Sequence, residues 1–183
     1  AVADVVMAGA ATVLVEDYGP ARPSPAARRL RREHGQAEAP RIAVVSSSLR
    51  IDPESRLFRE STPDARPLVL TTASADRTRR AALDAVAQVL DVGDEWVDWH
   101  RALAALRDAA GAGIVLCEGG PSTNAQLIDA DLVDEMCLTV APSLSGGPAH
   151  RIAQGAEATL RPMRLTRALA DDGYLFLRYV RQR

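Results

Sequence analysis

Short apolar runs alternate with segments of helical periodicity along most of this chain, and this order constrains the fold more than any other feature. Strands are predicted at 1–8, 41–46, 67–72, 87–92 and 113–117. Helices are predicted at 9–17 after a glycine turn, at 25–34, from a cap at Ser74 through Leu83, and at 97–110 and 121–132. Strands that alternate with helices form a mainly parallel sheet covered by helices on both faces. The pattern therefore predicts an α/β fold, with 1–183 as a single domain.

The C-terminal part follows a different pattern. Residues 164–170 and 174–180 alternate between apolar and polar side chains, and Asp171-Asp172-Gly173 joins them. Asp-Gly between two alternating runs is a strong indication of a β-hairpin. With a further strand at 134–141, antiparallel strands are expected at one end of the parallel sheet. Residues 87–92 and 113–117 are expected inside that sheet, the second because it is too short and too apolar for an edge.

Composition excludes several classes of function. Aromatic residues make up 4% of the chain and the formal net charge is −2, so neither stacking on bases nor general attraction to phosphate polymers is available. No nucleic acid partner is expected. No apolar run approaches the roughly 20 residues that cross a bilayer, and no leader pattern opens the chain. We expect a cytoplasmic protein without a membrane partner, in which Cys117 and Cys137 are reduced core residues.

The histidines and the basic run indicate no metal centre. His34, His100 and His150 lie far apart along the chain, and the H-x-E and P-C-x-x-C pattern of zinc deaminases is absent. A P-loop and a G-x-S-x-G motif are absent as well. The basic helix at 25–34 is interpreted as a solvated face.

The most informative motif is an apolar strand that runs into Glu118-Gly119-Gly120 and then directly into a helix at Pro121. Glycines let backbone N–H groups approach a ligand, and a helix N-terminus favours anions. The motif predicts a phosphate-binding turn at the carboxyl end of a strand, where open α/β sheets bind ligands. The alternative is an ordinary strand-to-helix turn that Ser122 or Thr123 caps.

Two further features favour a ligand site at this edge. Burying the Glu118 carboxylate beside a strand end is costly unless it serves a ligand or pairs with an arginine, and both alternatives stay open. A second strand–glycine–helix junction, Gly9-Ala10-Ala11-Thr12, lacks the G-x-G-x-x-G fingerprint but would open on the same sheet edge.

The turn Ser46-Ser47-Ser48-Leu49-Arg50 follows the strand at 41–46. NAD-selective folds usually place a carboxylate at such a strand end to hold the ribose hydroxyls. Hydroxyls and an arginine would instead accept a 2′-phosphate, which favours NADPH. The alternative is a serine-rich turn without a ligand.

Taken together, five segments resemble the reductase domain of bacterial riboflavin-biosynthesis deaminase-reductases, which has the dihydrofolate reductase-like fold. They are Gly9–Val13, Glu16–Arg22, Glu118–Ser122, Asp131–Glu135 and Pro142–Gly147. The resemblance covers nearly the whole chain and is most specific from Glu118 to Gly147. It implies an NADPH-dependent oxidoreductase that reduces a 5-amino-6-(5-phosphoribosylamino)uracil-like substrate, a pyrimidine nucleotide-like small molecule, to its ribitylamino form.

The resemblance also implies roles for particular residues. Glu118, Glu16 and Asp17 are the candidate catalytic carboxylates, and Arg22 and Tyr18 would bind substrate, with Arg22 suited to its phosphate. The cofactor would be held by a larger set, namely Gly9, Ala10, Thr12, Ser46, Gly119, Gly120, Pro121, Ser122 and Thr123. No residue is assigned to a metal.

Family members begin with a strand carrying a Ser-x-Asp-Gly type motif and a helix, both upstream of the strand that opens this chain. That segment would line the nicotinamide and substrate pocket, so the chain is expected to be the domain without it. Two alternatives remain: a non-catalytic nucleotide-binding or oligomerisation module, and a reductase of a pterin-like compound. The apolar C-terminal hairpin favours a homodimer.

Overall fold

The structure is a computed structural model that describes residues 2–148, 151–155 and 160–182. It divides into two compact units, Ala1–Gly120 and Pro121–Arg183. The first unit contains strands β1 Val5–Gly9, β2 Arg41–Val45, β3 Leu68–Thr71, β4 Gln88–Asp91 and β5 Val115–Cys117, and helices α1 Ala10–Val15, α2 Pro25–Glu33, α3 Arg56–Arg59, α4 Arg77–Asp84 and α5 Trp99–Ala110. The second contains helix α6 Pro121–Asp129 and strands β6 Glu135–Val140, β7 Met163–Asp171 and β8 Tyr174–Arg181.

The first unit is built on a five-stranded parallel sheet in the order β4-β3-β2-β1-β5. Side chains alternate between the two faces of a strand, and on both faces of the inner strands they are buried. One face contributes Ala8, Val44 and Val69 to a cluster with residues of α1, α3 and α4. On the other face Met7 and Leu70 are buried as well. The predicted α/β architecture, with a parallel sheet covered on both faces, is confirmed.

Capping residues set the helix ends. Ser24 Oγ accepts a hydrogen bond from the Ala27 N–H (3.2 Å) and Pro25 occupies the first turn of α2. Gly111 ends α5 in the left-handed region (φ 61°), as predicted. The predicted cap of α4 at Ser74 is wrong. Asp76 Oδ1 accepts from the Arg79 N–H (2.8 Å), because the chain between β3 and α4 runs two residues longer than the pattern indicated.

The basic helix α2 is not purely a solvated face. Arg31 is buried, and its guanidinium donates to the carbonyl oxygens of Ala3 (2.6 Å) and Ala37 (2.7 Å). It therefore ties α2 to the chain just before β1 and to the segment that leads to β2. The long aliphatic stem of an arginine makes such burial possible when its N–H groups find carbonyl partners.

Two strands lie at sheet edges where inner positions were predicted. Strand β5 pairs with β1 alone in the described residues, and β4 pairs with β3 alone. In β5 the side chains alternate, so Leu116 is 45% exposed while Val115 and Cys117 are partly buried. The short apolar run of β5 thus indicates that one face of the strand is covered. It does not indicate that the strand has a neighbour on each side.

The second unit has a three-stranded antiparallel sheet in the order β6-β8-β7. The predicted hairpin is confirmed: Asp172 (φ 45°) and Gly173 (φ 79°) form the turn between β7 and β8. The antiparallel strands form a sheet of their own, where the sequence predicted an extension of the parallel one. Ion pairs brace its ends, with Arg181 donating to Asp131 and Arg178 to Glu135.

Candidate active site at the carboxyl edge of the parallel sheet

The two strand–glycine junctions meet in the structure. Strands β1 and β5 are parallel neighbours with Met7 opposite Cys117. Beyond this pair the Glu118 N–H donates to the Met7 carbonyl (2.9 Å), and the Gly9 N–H donates to the Gly119 carbonyl (2.8 Å). Both junctions therefore open on one sheet edge, as the sequence predicted.

The Gly119–Gly120 turn is a place where the structure favours residues without a side chain. Gly119 has φ 95°, a conformation that favours glycine. A Cβ on Gly120 would lie 2.9 Å from Thr12 Oγ1, so this glycine also permits a close approach to α1. A turn without side chains fits a pyrophosphate group, because N–H groups can reach the oxygens directly. The alternative of an ordinary close-packed turn explains Gly120 equally well.

The first turns of the two helices that follow these glycines contain no acidic residue. Gly9 is the N-cap of α1 without a side-chain hydrogen bond, and the first turn of α1 has no acidic residue. Pro121 opens α6, as predicted, and that first turn has no acidic residue either. Ser122 Oγ accepts from Gln126 Nε2 (3.1 Å), and Thr123 is buried. At these two junctions an anion would therefore be bound mainly by backbone N–H groups.

Glu118 is paired with a tyrosine, not an arginine. Tyr18 Oη donates to Glu118 Oε2 across 2.5 Å, and no arginine of the described residues forms an ion pair with Glu118. Partial burial, the hydrogen bond to Glu118 and the charges of Glu118, Glu16 and Cys117 raise the pKa of Tyr18 well above its ordinary value. The phenol therefore keeps its proton and remains a donor to the carboxylate.

The loop Glu16–Arg22, for which the resemblance implies substrate contacts, is tied to the segment around α3 by two ion pairs. Arg56 Nη1 lies 3.1 Å from Asp17 Oδ2, and Arg22 Nη2 lies 2.5 Å from Glu60 Oε2. These pairs are largely exposed, and exposed pairs contribute about 0–1 kcal/mol. Arg56 and Glu60 are residues that the sequence reasoning missed, because nothing in the charge pattern distinguishes them from other exposed arginines and glutamates.

In the serine turn after β2, the first hydroxyl, that of Ser46, forms a hydrogen bond within the turn itself. Ser46 is buried and its Oγ accepts from the Leu49 N–H (3.0 Å), which fits the alternative of a serine-rich turn. Its hydroxyl proton remains available to a further acceptor. Arg79 of α4 donates to the Ser48 carbonyl (3.1 Å), so a second guanidinium joins Arg50 near this turn. The sequence reasoning missed Arg79 because it lies on another element.

Neither an activated thiol nor a cluster of metal-ligating side chains occurs in the part of the chain that the structure describes. Burial raises the pKa of the Cys117 thiol, and the nearby Glu118 charge acts in the same direction, so Cys117 is not an activated thiolate. No cluster of metal-ligating side chains occurs among residues 2–148, 151–155 and 160–182, and His150 lies outside them. Within the same residues no helix is long and apolar enough to cross a membrane.

The protein is therefore an α/β domain with an open parallel sheet, and such sheets bind ligands at the carboxyl ends of their strands, where the two glycine turns lie. The chain belongs to the RibD C-terminal domain family, whose model matches residues 1–175.

Curated relatives carry the name of one enzyme. A 2,5-diamino-6-ribosylamino-4(3H)-pyrimidinone 5′-phosphate reductase from Archaeoglobus fulgidus is 28% identical over 88% of this chain and 72% of its own. The enzyme of the same name from Methanothermobacter thermautotrophicus is 31% identical over 79% of this chain and 62% of its own. The predicted class, a riboflavin-type pyrimidine reductase, is confirmed.

Solved structures agree with the fold. A pyrimidine reductase-like protein from Corynebacterium diphtheriae matches 99% of this chain and 77% of its own, with a TM-score of 0.87 and 26% identity. Acinetobacter baumannii RibD matches 99% of this chain and 48% of its own, with a TM-score of 0.76. At 18% identity the second likeness concerns the fold alone.

Proposed function

We propose that the protein is an NADPH-dependent reductase that converts the ribosylamino group of a pyrimidine 5′-phosphate into a ribitylamino group. The observation that carries the proposal is that the Gly9 and Gly119–Gly120 turns meet at the end of β5, where Glu118 directly precedes Gly119 in the chain. Family membership and the names of the relatives support the same substrate class. The family match runs across both compact units, which supports treating 1–183 as one reductase domain.

The reaction makes modest demands on the protein. The sugar ring opens when its C1–O4 bond breaks; O4 gains a proton, the nitrogen loses one, and a C1=N double bond forms. NADPH, when bound, supplies the hydride that C1 receives, and the nitrogen takes up one proton. In this proposal Glu118 orients the opened sugar or passes that proton, with Glu16 and Asp17 as the other candidate carboxylates, and Arg22 binds the phosphate.

The residues around the glycine turns would hold the cofactor. Gly9, Ala10 and Thr12 at one junction and Gly119 and Gly120 at the other offer backbone to the phosphates. The resemblance adds Pro121, Ser122 and Thr123, the first residues of α6, to the cofactor-binding set. Near the serine turn, Ser46, Arg50 and Arg79 provide donors and no carboxylate, which supports a preference for NADPH over NADH.

Fluorescence titration with both cofactors tests that preference. We expect NADPH to bind at least tenfold more tightly than NADH, because a dianionic 2′-phosphate gains charge-assisted hydrogen bonds. Equal affinities would remove the argument from the serine turn.

The decisive experiment measures NADPH oxidation with purified protein and two substrates, the diaminopyrimidinone and the uracil forms of the ribosylamino 5′-phosphate. It is run on this chain and on a chain extended at its N-terminus with the family's preceding strand and helix. Turnover with either substrate supports the proposal. Binding of NADPH without turnover in both chains would favour a non-catalytic module, and turnover only with a dihydropterin would favour a pterin-type reductase.

We also propose a cytoplasmic homodimer. Leu175 and its cross-strand neighbour Val140 lie on the antiparallel sheet and remain 43% and 44% exposed. Exposed apolar surface of this kind is typical of interfaces. Light scattering should give the mass of a dimer, and Leu175→Asp should shift it towards the monomer; a monomeric parent protein would contradict the proposal.

A further inference from the structure

Tyr18 is held by its backbone and by the packing of its side chain. Its backbone N–H donates to the Val13 carbonyl (3.1 Å), and its side chain packs against the cluster that contains Val13 and Ala8. The hydroxyl emerges from this packing and reaches Glu118 Oε2, 100 residues away in the sequence. Packing fixes the ring, and the ring therefore fixes where the hydroxyl lies.

This hydrogen bond constrains the carboxylate. A tyrosine hydroxyl has one proton to donate, and here it goes to a single carboxylate oxygen, Oε2. Among the described residues Tyr18 is the side chain that hydrogen-bonds to Glu118, so Oε1 is left for another donor. A glutamate side chain has three rotatable bonds, and holding one oxygen removes most of that freedom.

We propose that Tyr18 is a positioning residue that orients the Glu118 carboxylate towards the reacting sugar, and not the direct substrate ligand that the resemblance implied. The inference deepens the proposed function and rests on it. Tyr18 in this role acts through Glu118 alone, and its effect disappears when the Glu118 carboxylate is absent.

A double-mutant cycle separates the two roles. Tyr18→Phe keeps the packed ring and removes the hydroxyl, and Glu118→Gln keeps the shape and removes the charge. We expect Tyr18→Phe to lower kcat about tenfold, the scale of one hydrogen bond to a charged group, with KM changed less than about twofold. Glu118→Gln should lower kcat by about 10²-fold, and the double variant should be no slower than Glu118→Gln alone.

Tyr174→Phe is the matched control. Tyr174 lies on β8, where its ring stacks with that of Phe176, so loss of its hydroxyl should leave kcat and KM unchanged. NADPH affinity, measured by fluorescence, should be the same in all these variants.

A second measurement is independent of turnover. Absorbance of tyrosinate during an alkaline titration of the folded protein counts the tyrosines that have ionised, and Tyr18 is exposed to the charges of Glu118, Glu16 and Cys117. Glu118→Gln should make one tyrosine ionise at lower pH, and Tyr18→Phe should remove that tyrosine from the titration.

The outcomes are distinct. Multiplying effects in the double variant, or a Tyr18→Phe change confined to KM, would show that Tyr18 acts on substrate directly and would overturn the inference. An unchanged tyrosine titration in Glu118→Gln would overturn the pairing itself. Absence of turnover in the parent protein would refute the proposed function, while the titration would still decide whether Tyr18 holds Glu118.

Discussion

The two units of this protein bury their apolar residues to very different degrees. In the parallel unit Val44, Val69 and Leu70 have no exposed surface. In the antiparallel unit Leu169 and Phe176 face each other across β7 and β8 and remain 55% and 42% exposed. The first unit contains its own core, whereas the second presents a sheet with apolar side chains at its surface. Stability and ligand binding should therefore depend mainly on the first unit, and assembly on the second.

Core truncations should give the largest contrast. Leu70→Ala removes a fully buried side chain and should lower the free energy of unfolding by about 2–5 kcal/mol. Leu169→Ala, the counterpart on the antiparallel sheet, should cost less than about 1 kcal/mol. Urea unfolding followed by tryptophan fluorescence and by circular dichroism measures both. An equal loss at Leu169 would mean that the partner of the proposed homodimer also covers the face of the sheet that carries Leu169.

Catalysis should show the next largest difference between the units. Glu118→Gln should lower turnover by about 10²-fold or more, the scale of a positioned acid or base. Glu135→Gln on β6 removes a carboxylate that pairs with Arg178 at the surface, and it should leave turnover within about twofold of the parent. If Glu118→Gln stays within a factor of a few, the catalytic carboxylate has to be sought at Glu16 or Asp17.

Glycine substitutions extend the comparison to cofactor binding. Gly120→Val places a branched side chain next to Thr12 in the turn, and NADPH affinity should fall about tenfold, roughly 1.4 kcal/mol. Thr12 can rotate away, so the fold should persist. Gly146→Val in the second unit meets open space and serves as the control. Collapse of thermal stability with unchanged affinity of the folded fraction would make Gly120 purely structural.

The smallest expected effects concern two carboxyl groups, one in each unit. Partial burial acts to raise the pKa of Asp4. Hydrogen bonds from Gln36 and from the N–H groups of Ile114 and Gly113 outweigh this effect and lower that pKa below its ordinary value. The hydrogen bond from Arg178 lowers the pKa of Glu135. A lowered pKa means stabilisation that is complete above the ordinary value, about 3.9 for aspartate, and is lost as the pH falls below it.

Asp4→Asn and Glu135→Gln should each remove less than about 1 kcal/mol of this acid-dependent stability, since solvent screens both groups. Unfolding at pH 7 and at pH 3 measures the difference. A variant that remains as acid-sensitive as the parent would show that its carboxyl group carries none of the effect.

Much of the fold was accessible from the sequence because its cues are local. The Asp172-Gly173 turn, the glycine junction at Gly119 and the end of α5 at Gly111 each rest on backbone conformations that few residues adopt. The edge position of β5 could not be predicted in this way. An apolar run indicates how much of the surface of a strand is buried, but it does not indicate which element buries that surface.

The sequence by itself determined the alternation of strands and helices, the hairpin, and the placement of both glycine junctions on one sheet edge, since parallel strands share a direction. Only the tertiary structure decided which charged and polar groups meet there. Tyr18 lies 100 residues from Glu118, and Arg22 lies 38 residues from Glu60. Such pairs depend on the order of the strands and on the path of the long connections between them. Two side chains form a hydrogen bond only when the fold brings them close together, and no local periodicity of the sequence encodes that proximity.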